Sequence, residues 1–328
     1  MQNLQLFSIG NALVDQEFLV SDDFLAEIGV QKGTMQLVDA DMQQKIIAKL
    51  AEAEHKGQAS GGSAANTTVA FSALGGQSFY ACRVGDDELG QFYLNDLQQV
   101  QVKTTEKSIS QGTTGRCVVL ISPDGERTMC TYLGITAELS DAQVDMQALK
   151  SAQYLYIEGY LATSSTAQAA VTQARQIARD HGLKIALSLS DPAMVQYARD
   201  GLNVLLGDGV DVLFCNEQEA LMYTQSDDLE QAVAALLQQA KQVFITLGAA
   251  GALYADASQQ LRMPTIHVDV KDSNGAGDAF AGGVLYGLVN GFDIEKTMTL
   301  GNHLASHVVA QYGPRLSLQG YQDVSKAI

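Results

Sequence analysis

The 328-residue sequence predicts an α/β protein: a large domain built on a mostly parallel sheet, with a small β-sheet lid over its ligand edge. Two observations predict this. From about residue 150 onward, short apolar runs alternate with helical periodicity, the pattern of a parallel sheet with helices on both faces. Earlier in the chain, two strand-rich patches do not fit that alternation, and they read as one small sheet that is discontinuous in sequence.

The elements follow in order. A first strand runs over Leu4–Ile9 and ends in Gly10-Asn11, and strand-like segments follow at Gln16–Val20 and Thr34–Val38. A helix is predicted from Asp41 to about Lys56, with Gly57 as its stop. The small-residue stretch Ser60–Asn66 leads into an apolar helix, Thr67–Leu74, which Gly75-Gly76 closes before a strand at Phe79–Val84. Cys117–Ser122 and Arg127–Leu133 flank Ser122-Pro123-Asp124-Gly125, whose proline and Asp-Gly pair signal a hairpin. The alternating half contains strands at Tyr154–Ile157, Lys184–Leu189, Val210–Cys215 and Val243–Leu247. Its helices are predicted at Ala167–Asp180, from Glu217 through Tyr223, and at Asp228–Lys241. Right-handed crossovers then place the strand C-termini along one edge, where ligands bind. On this reading residues 1–11, 39–103 and 134–328 form the large domain, and 12–38 with 104–133 form the lid.

Hydrophobic residues make up 46% and charged residues 17%, ordinary values for a chain that buries a core. The net charge of −17 argues against nucleic acid or an anionic membrane as partner, since both want a basic face. It leaves a phosphate site open, because backbone N–H groups at a helix start hold phosphate without net positive charge. The four cysteines form no C-x-x-C pair and suit buried, reduced thiols. The start MQNLQLFSIG lacks a basic n-region, and no apolar run approaches the roughly 20 residues that span a bilayer. A soluble, cytoplasmic protein with a small-molecule substrate is expected. There is no G-x-x-x-x-G-K-[ST] loop, and no G-x-G-x-x-G follows the first strand.

The segment Val270–Gly283 is the most informative. Gly275, Ala276 and Gly277 precede Asp278, and an apolar helical run follows. Small residues at a helix start let backbone N–H groups face a concave anion site. An aspartate there would repel phosphate, but it makes sense as a base on the incoming hydroxyl while the three preceding residues stabilise phosphoryl charge. Taken alone, the segment reads more readily as an acidic first turn with glycines for packing.

A second segment points the same way. Asp272–Leu285 resembles the C-terminal signature of the ribokinase-like (PfkB) carbohydrate and nucleoside kinases. Gly61-Gly62-Ser63-Ala64-Ala65-Asn66-Thr67-Thr68, followed by Gly75 and Gly85, resembles their N-terminal signature. The resemblance spans essentially the whole chain. It implies a ribokinase-like three-layer α/β/α domain with a β-sheet lid, ATP-dependent phosphotransfer, Mg²⁺, and Asp278 as the base.

Further matches carry further roles as the resemblance implies them. Asn216-x-x-Glu219 looks like the segment that orders Mg²⁺ through water, and it reads equally as a helix cap. Thr246, Gly248 and Gly251 resemble the ATP-binding loop, and Asn302 lies where relatives line the adenine pocket. Asp272 lies where relatives often form a monovalent-cation site, which makes K⁺ a candidate cofactor. Gly10–Asp15 resembles the opening of the adenosine-kinase branch, so Asn11 and Asp15 would bind vicinal ribose hydroxyls, with Gly61, Gly62 and Asn66 completing the sugar site. Arg127 matches a lid arginine that reaches the transferring phosphate in some relatives, or it is an exposed hairpin arginine. Tyr160 would stack on a base or sugar, or belong to the core.

The expected reaction is transfer of the ATP γ-phosphate to a primary hydroxyl of a ribonucleoside. Adenosine is favoured because Thr128–Gly134 also resembles adenosine-kinase-like bacterial members. A kinase of free ribose, fructose or a deoxy sugar acid is the enzymatic alternative, and a catalytically silent nucleotide- or sugar-binding protein is the other. The lid-sheet edge could pair two copies into a homodimer or stay capped.

Overall fold

The computed structural model describes residues 4–51 and 53–328. In chain order the elements are β1 (Leu6–Ile9), β2 (Leu13–Leu19), α1 (Asp22–Ile28), β3 (Met35–Leu37), α2 (Ala40–Lys49), β4 (His55–Gly61), α3 (Ser63–Ala73), β5 (Ser78–Ala81), β6 (Val84–Gly85) and α4 (Glu88–Gln99). They continue with β7 (Ile109–Ser110), β8 (Gly115–Ile121), β9 (Arg127–Tyr132), α5 (Met146–Lys150), β10 (Tyr154–Glu158), α6 (Ser165–Asp180), β11 (Lys184–Ser188), α7 (Pro192–Tyr197), α8 (Arg199–Leu206) and β12 (Val210–Asn216). The chain closes with α9 (Glu217–Thr224), α10 (Leu229–Leu236), β13 (Ala240–Thr246), β14 (Ala252–Asp256), β15 (Gln260–Met263), α11 (Ala276–Val289), α12 (Ile294–Val309) and α13 (Leu318–Lys326).

The large sheet has the order β15-β14-β13-β12-β11-β10-β1-β5. It is parallel from β5 to β13, and β14 and β15 are added antiparallel at one edge. β1 and β10 are buried along their whole length, as a strand covered on both faces must be, and so read as mostly apolar runs, interrupted by Ser8 and ended by Glu158. One face packs Phe7, Leu155 and Ile185 against Val171, Leu205 and Val233 of α6, α8 and α10. The other packs Leu6, Tyr156 and Phe244 against Val69, Phe280 and Leu304 of α3, α11 and α12. The layers are therefore helix, sheet, helix. The chain leaves β1 toward β5 on one side, while β10 leads outward on the other. This makes the gap beyond the C-terminal ends of β1 and β10 a topological switch point.

The small sheet has the order β3-β9-β8-β2-β4. Alternation along its strands sets its two faces apart. Val118, Leu120 and Cys130 pack under Leu25 and Ile28 of α1 and Ile46 of α2, whereas Cys117, Met129 and Thr131 turn toward the ligand cavity. The sheet thus carries its own helical cover on the outer face.

Three sequence expectations need correction. The helix predicted to reach Lys56 ends at Lys49, and His55–Gly61 instead pairs antiparallel with β2. The free edge of β2 offers His55 and the residues after it a ladder of hydrogen bonds, and pairing outweighs a weak helix propensity. Residues 40–61, assigned to the large domain, therefore belong with the small sheet. The helix predicted through Lys241 ends at Leu236, because Ala240 and Lys241 already belong to β13. Residues 104–114, assigned to the lid, lie outside its sheet; β7 pairs with β6. The four cysteines are buried and free, and among the described residues no helix is long and apolar enough to cross a membrane.

Candidate active site

A cavity of about 810 Å³ opens at the switch point, between the C-terminal ends of β1, β10, β11, β12 and β13 and the inner face of the small sheet. Asp278 stands on its floor, in the first turn of α11. Ser63 Oγ donates to Asp278 Oδ1 at 2.6 Å, and Asn66 Nδ2 donates to Oδ2 at 3.0 Å. Both donors come from the first turn of α3, which packs against α11 through a close approach at Gly282, where a Cβ would lie 2.6 Å from that of Ala70. Desolvation pushes the Asp278 carboxyl up to about 6, while the Ser63 and Asn66 bonds and the charge of Arg315 oppose the shift. A carboxylate with that affinity for protons is matched to accepting one from an alcohol near neutral pH.

The turn before Asp278 is held by conformation and contact. Gly275 caps α11 with φ +76°, and a Cβ there would lie 2.3 Å from the Pro314 carbonyl oxygen, so no other residue fits. Gly275 and Gly277 line the cavity, and a Cβ on Gly277 would meet open space. Ala276 does not line it, and its N–H leans back on the Ser273 carbonyl at 3.4 Å. The first-turn N–H groups of Gly277 and Asp278 have no partner within their helix, so they are better placed than that of Ala276 to meet an anion.

Asn11 and Asp15, the expected acceptor residues, line the same cavity. Glu158, fully buried at the end of β10, accepts from the backbone N–H of Asn11 at 2.7 Å and of Ala64 at 2.7 Å. It thereby ties the loop after β1 to the start of α3, and burial pushes its carboxyl up to about 7. Gly61 pairs with Leu13, and its missing side chain makes room for the Asp15 carboxyl, which would lie 2.3 Å from a Cβ there. Gly62, at φ +97°, faces the Asn11 carbonyl, and its Cβ would come within 2.3 Å of that oxygen. Burial raises Asp15 to about 7, and it has no hydrogen-bond partner among the described residues. Around it the lid presents Leu13, Met35, Leu37, Met129 and Leu133 to the cavity. Tyr160 also lines the cavity, half-buried, with its hydroxyl 3.5 Å from Asp191.

On the far side, Asn216 and Glu219 form a reciprocal cap at the start of α9, so the helix-cap reading holds. Glu219 lines the same cavity. Burial raises its carboxyl to about 7, and the charges of Asp191 and Asp278 add to the rise. Mutual repulsion among these carboxylates suits a cation held through water and phosphate oxygens. Among the described residues, no group of three His, Cys, Asp or Glu side chains is placed to hold a metal unaided. Thr246 lines the cavity beside Asn216, with which it pairs across β12 and β13. Gly248 is exposed in the turn beyond it, and Gly251, which closes that turn, is buried against the Met263 carbonyl; neither lines the cavity.

Three expected roles change. Asn302 is buried in α12 and spends its amide on the Met263 and Pro264 carbonyls, so it pins the segment after β15 and does not line the cavity. Asp272 accepts from the N–H groups of Asn274 and Gly313 and pairs with Arg127 Nη2 at 3.0 Å. With a guanidinium already beside it, this carboxylate does not fit a K⁺ site. Arg127 is not an exposed hairpin arginine: it is 10% exposed, lines the cavity, and bridges Glu17 at 2.9 Å to Asp272. Ser63 sat unassigned inside a recognised motif, and Glu158 was visible only as a charge ending an apolar strand. Arg315 and Asp191 gave no sequence signal.

Comparison with known proteins agrees with this geometry. The profile of the pfkB family carbohydrate kinases matches residues 34–319. The chain is 28% identical to the adenosine kinase of Saccharomyces cerevisiae, over 94% of this chain and 96% of that protein. Among solved structures, adenosine kinase from Sinorhizobium meliloti superposes with a TM-score of 0.90 at 33% identity, covering 99% of this chain and 100% of that one. A probable sugar kinase from Rhizobium etli matches with a TM-score of 0.90 at 32% identity, covering 100% and 99%. The fold, the cavity at its switch point and these likenesses agree: the chain belongs to the pfkB family of carbohydrate kinases, ATP-using phosphotransferases that act on a sugar or nucleoside.

Proposed function

We propose that the protein transfers the γ-phosphate of ATP to the 5′-hydroxyl of a ribonucleoside, with adenosine as the preferred acceptor. The observation that carries this reading is the two-sided acceptor wall. Asn11 and Asp15 offer polar partners for a ribose, while Met35, Leu37, Met129 and Leu133 line the same space with apolar surface. A free sugar would set its hydroxyls against that surface unsatisfied, whereas a nucleobase would bury it. The adenosine kinases among the relatives support the same choice.

In this reading the lid closes over the acceptor and excludes water, which strengthens every charge interaction inside. Asp278, held by Ser63 and Asn66, takes the hydroxyl proton. The Gly277 and Asp278 N–H groups face the transferring phosphoryl oxygens. Glu219 and its neighbours would hold Mg²⁺ through water, where the ion supplies charge neutralisation on the phosphates. Arg127 exchanges Asp272 for a phosphate oxygen as the lid closes.

An ADP-release screen with Mg·ATP over nucleosides and free sugars tests this. Adenosine should show the highest kcat/KM. A free sugar turned over faster than every nucleoside would overturn the acceptor assignment while leaving the kinase chemistry intact.

A further inference from the structure

We propose that Arg315, which lies outside the cavity, is a positioning residue that locks Asn66 in the one orientation able to donate to Asp278. The proposal rests on the reading of Asp278 as base. The segment Gly313-Pro314-Arg315, just beyond α12, runs beneath the catalytic turn. Gly313 N–H donates to Asp272 at 2.9 Å, and the Pro314 carbonyl lies against Gly275. Arg315 then reaches across: its Nε donates to Asn66 Oδ1 at 2.7 Å, and its Nη1 donates to Ser60 Oγ at 2.7 Å and faces Asp96 at 3.3 Å. The guanidinium is 12% exposed, so these contacts are made away from water.

An asparagine amide has an accepting end and a donating end. With Oδ1 held by the guanidinium, Nδ2 is left to face Asp278 Oδ2 at 3.0 Å. Flipping the amide would set its NH₂ against a guanidinium and its oxygen against a carboxylate, two repulsive contacts in place of two favourable ones. Arg315 therefore fixes both the identity and the direction of one of the base's two donors. Ser60, its other anchor, is the last residue but one of β4, directly before Gly61 and Gly62, so one side chain ties the catalytic carboxylate to the root of the lid.

Arg315 also supplies the cation that holds the Asp278 carboxyl down. The groups facing Asp278 from the surrounding elements are otherwise acidic or phenolic: Asp15 of β2, Tyr156 and Glu158 of β10, Tyr160 beyond it, Glu219 of α9 and Tyr321 of α13. The phenols stay neutral and desolvation is what raises Asp278, so loss of the guanidinium removes a charge that opposes that rise and the base titrates at higher pH.

The test is a double-mutant cycle of Arg315→Met and Asn66→Ala, read as kcat, KM for ATP and the pH profile of kcat/KM with the best acceptor found in the screen. Arg315→Met alone should lower kcat roughly tenfold to a hundredfold and move the acid limb to higher pH, with KM for ATP changed less than about twofold. In the Asn66→Ala background the same substitution should cost less than about threefold, because the side chain it orients is gone. Effects that multiply in full, or an unshifted acid limb, would mean that Arg315 only braces the fold. Should Arg315→Met not fold, Arg315→Lys enters the same cycle, since one ammonium cannot fork to both Asn66 and Ser60. Asp278→Asn, measured alongside, separates the two ideas. An active Asp278→Asn removes the base assignment itself, whereas an inactive one with multiplying effects removes only the role of Arg315.

Discussion

The floor and the roof of the cavity are built on opposite principles. On the floor, both oxygens of Asp278 have donors, one of those donors is itself held by Arg315, and both oxygens of Glu158 accept a backbone N–H. On the roof, Asp15 has no hydrogen-bond partner among the described residues, and Met35 and Leu37 remain 37% and 61% exposed although apolar. The difference assigns the labour. Charge developing in a transition state is stabilised best by groups already in place, so the chemical half is finished in the fold. The acceptor half is left unsatisfied, and a ligand carrying hydroxyls and an apolar face would complete it.

The sharpest way to break this contrast is on the floor. Asp278→Asn keeps the shape of the side chain but removes the base, and kcat should fall about 10²- to 10⁴-fold with ATP affinity retained. In the wild type, kcat/KM should rise with pH through about 6, where Asp278 loses its proton, and level off above. A flat profile across that range, measured with a non-limiting acceptor, would count against the base. Next comes Gly277→Ala. Its Cβ meets only open space, so thermal stability should hold or rise by about 0.4–1 kcal/mol, as for glycine replaced at a compatible site. Activity should nonetheless fall about a hundredfold, because the methyl occupies the space facing the transferring phosphoryl group. A fully active variant would place the anion site elsewhere.

On the roof the effects are smaller and of opposite sign for stability. Asp15→Asn should raise the acceptor KM about tenfold to a hundredfold, the cost of a lost charged hydrogen bond. It should also stabilise the free protein at pH 8. Asp15 carries a folded value of about 7 against an unfolded value of 3.8, so the folded state binds more protons, and charging this group opposes folding as pH rises through that window. The gain in Tm should therefore shrink as pH falls from 8 to 5. A variant less stable than wild type at pH 8 would show that Asp15 is satisfied in the free protein. The smallest effect is expected at Leu37→Ser, where the adenosine KM should rise about threefold to tenfold and Tm stay level, because the side chain is exposed until a base covers it. An unchanged KM would leave the nucleobase without its apolar wall.

Legibility followed the same division. The floor could be read in sequence because its parts are local: Gly275 to Asp278 are contiguous, and so are Gly61 to Asn66. The strands of the large sheet were legible because burial on both faces leaves mostly apolar runs, as in β1 and β10. The roof was harder. β4 begins at His55 and Lys56, inside the span that reads as a helix, and forms a strand there because β2 has a free edge beside it. Asn302 resembled a ligand residue, yet its amide is claimed by the Met263 and Pro264 carbonyls, neighbours that sequence does not disclose.

By itself the sequence determined the α/β class and the position of the small-residue turn before Asp278, since each follows from residues close together in the chain whose spacing limits what they can form. Tertiary structure alone decided what surrounds that carboxylate. Ser63 and Asn66 lie 215 and 212 positions from Asp278, and Arg315 lies 249 positions from Asn66. It also decided that Arg127 is spent on Glu17 and Asp272, and that Asp15 stands beside an apolar wall without a hydrogen-bond partner among the described residues. Hydrogen bonds and desolvation act over a few ångströms of space, and only the folded chain says which residues share those few ångströms.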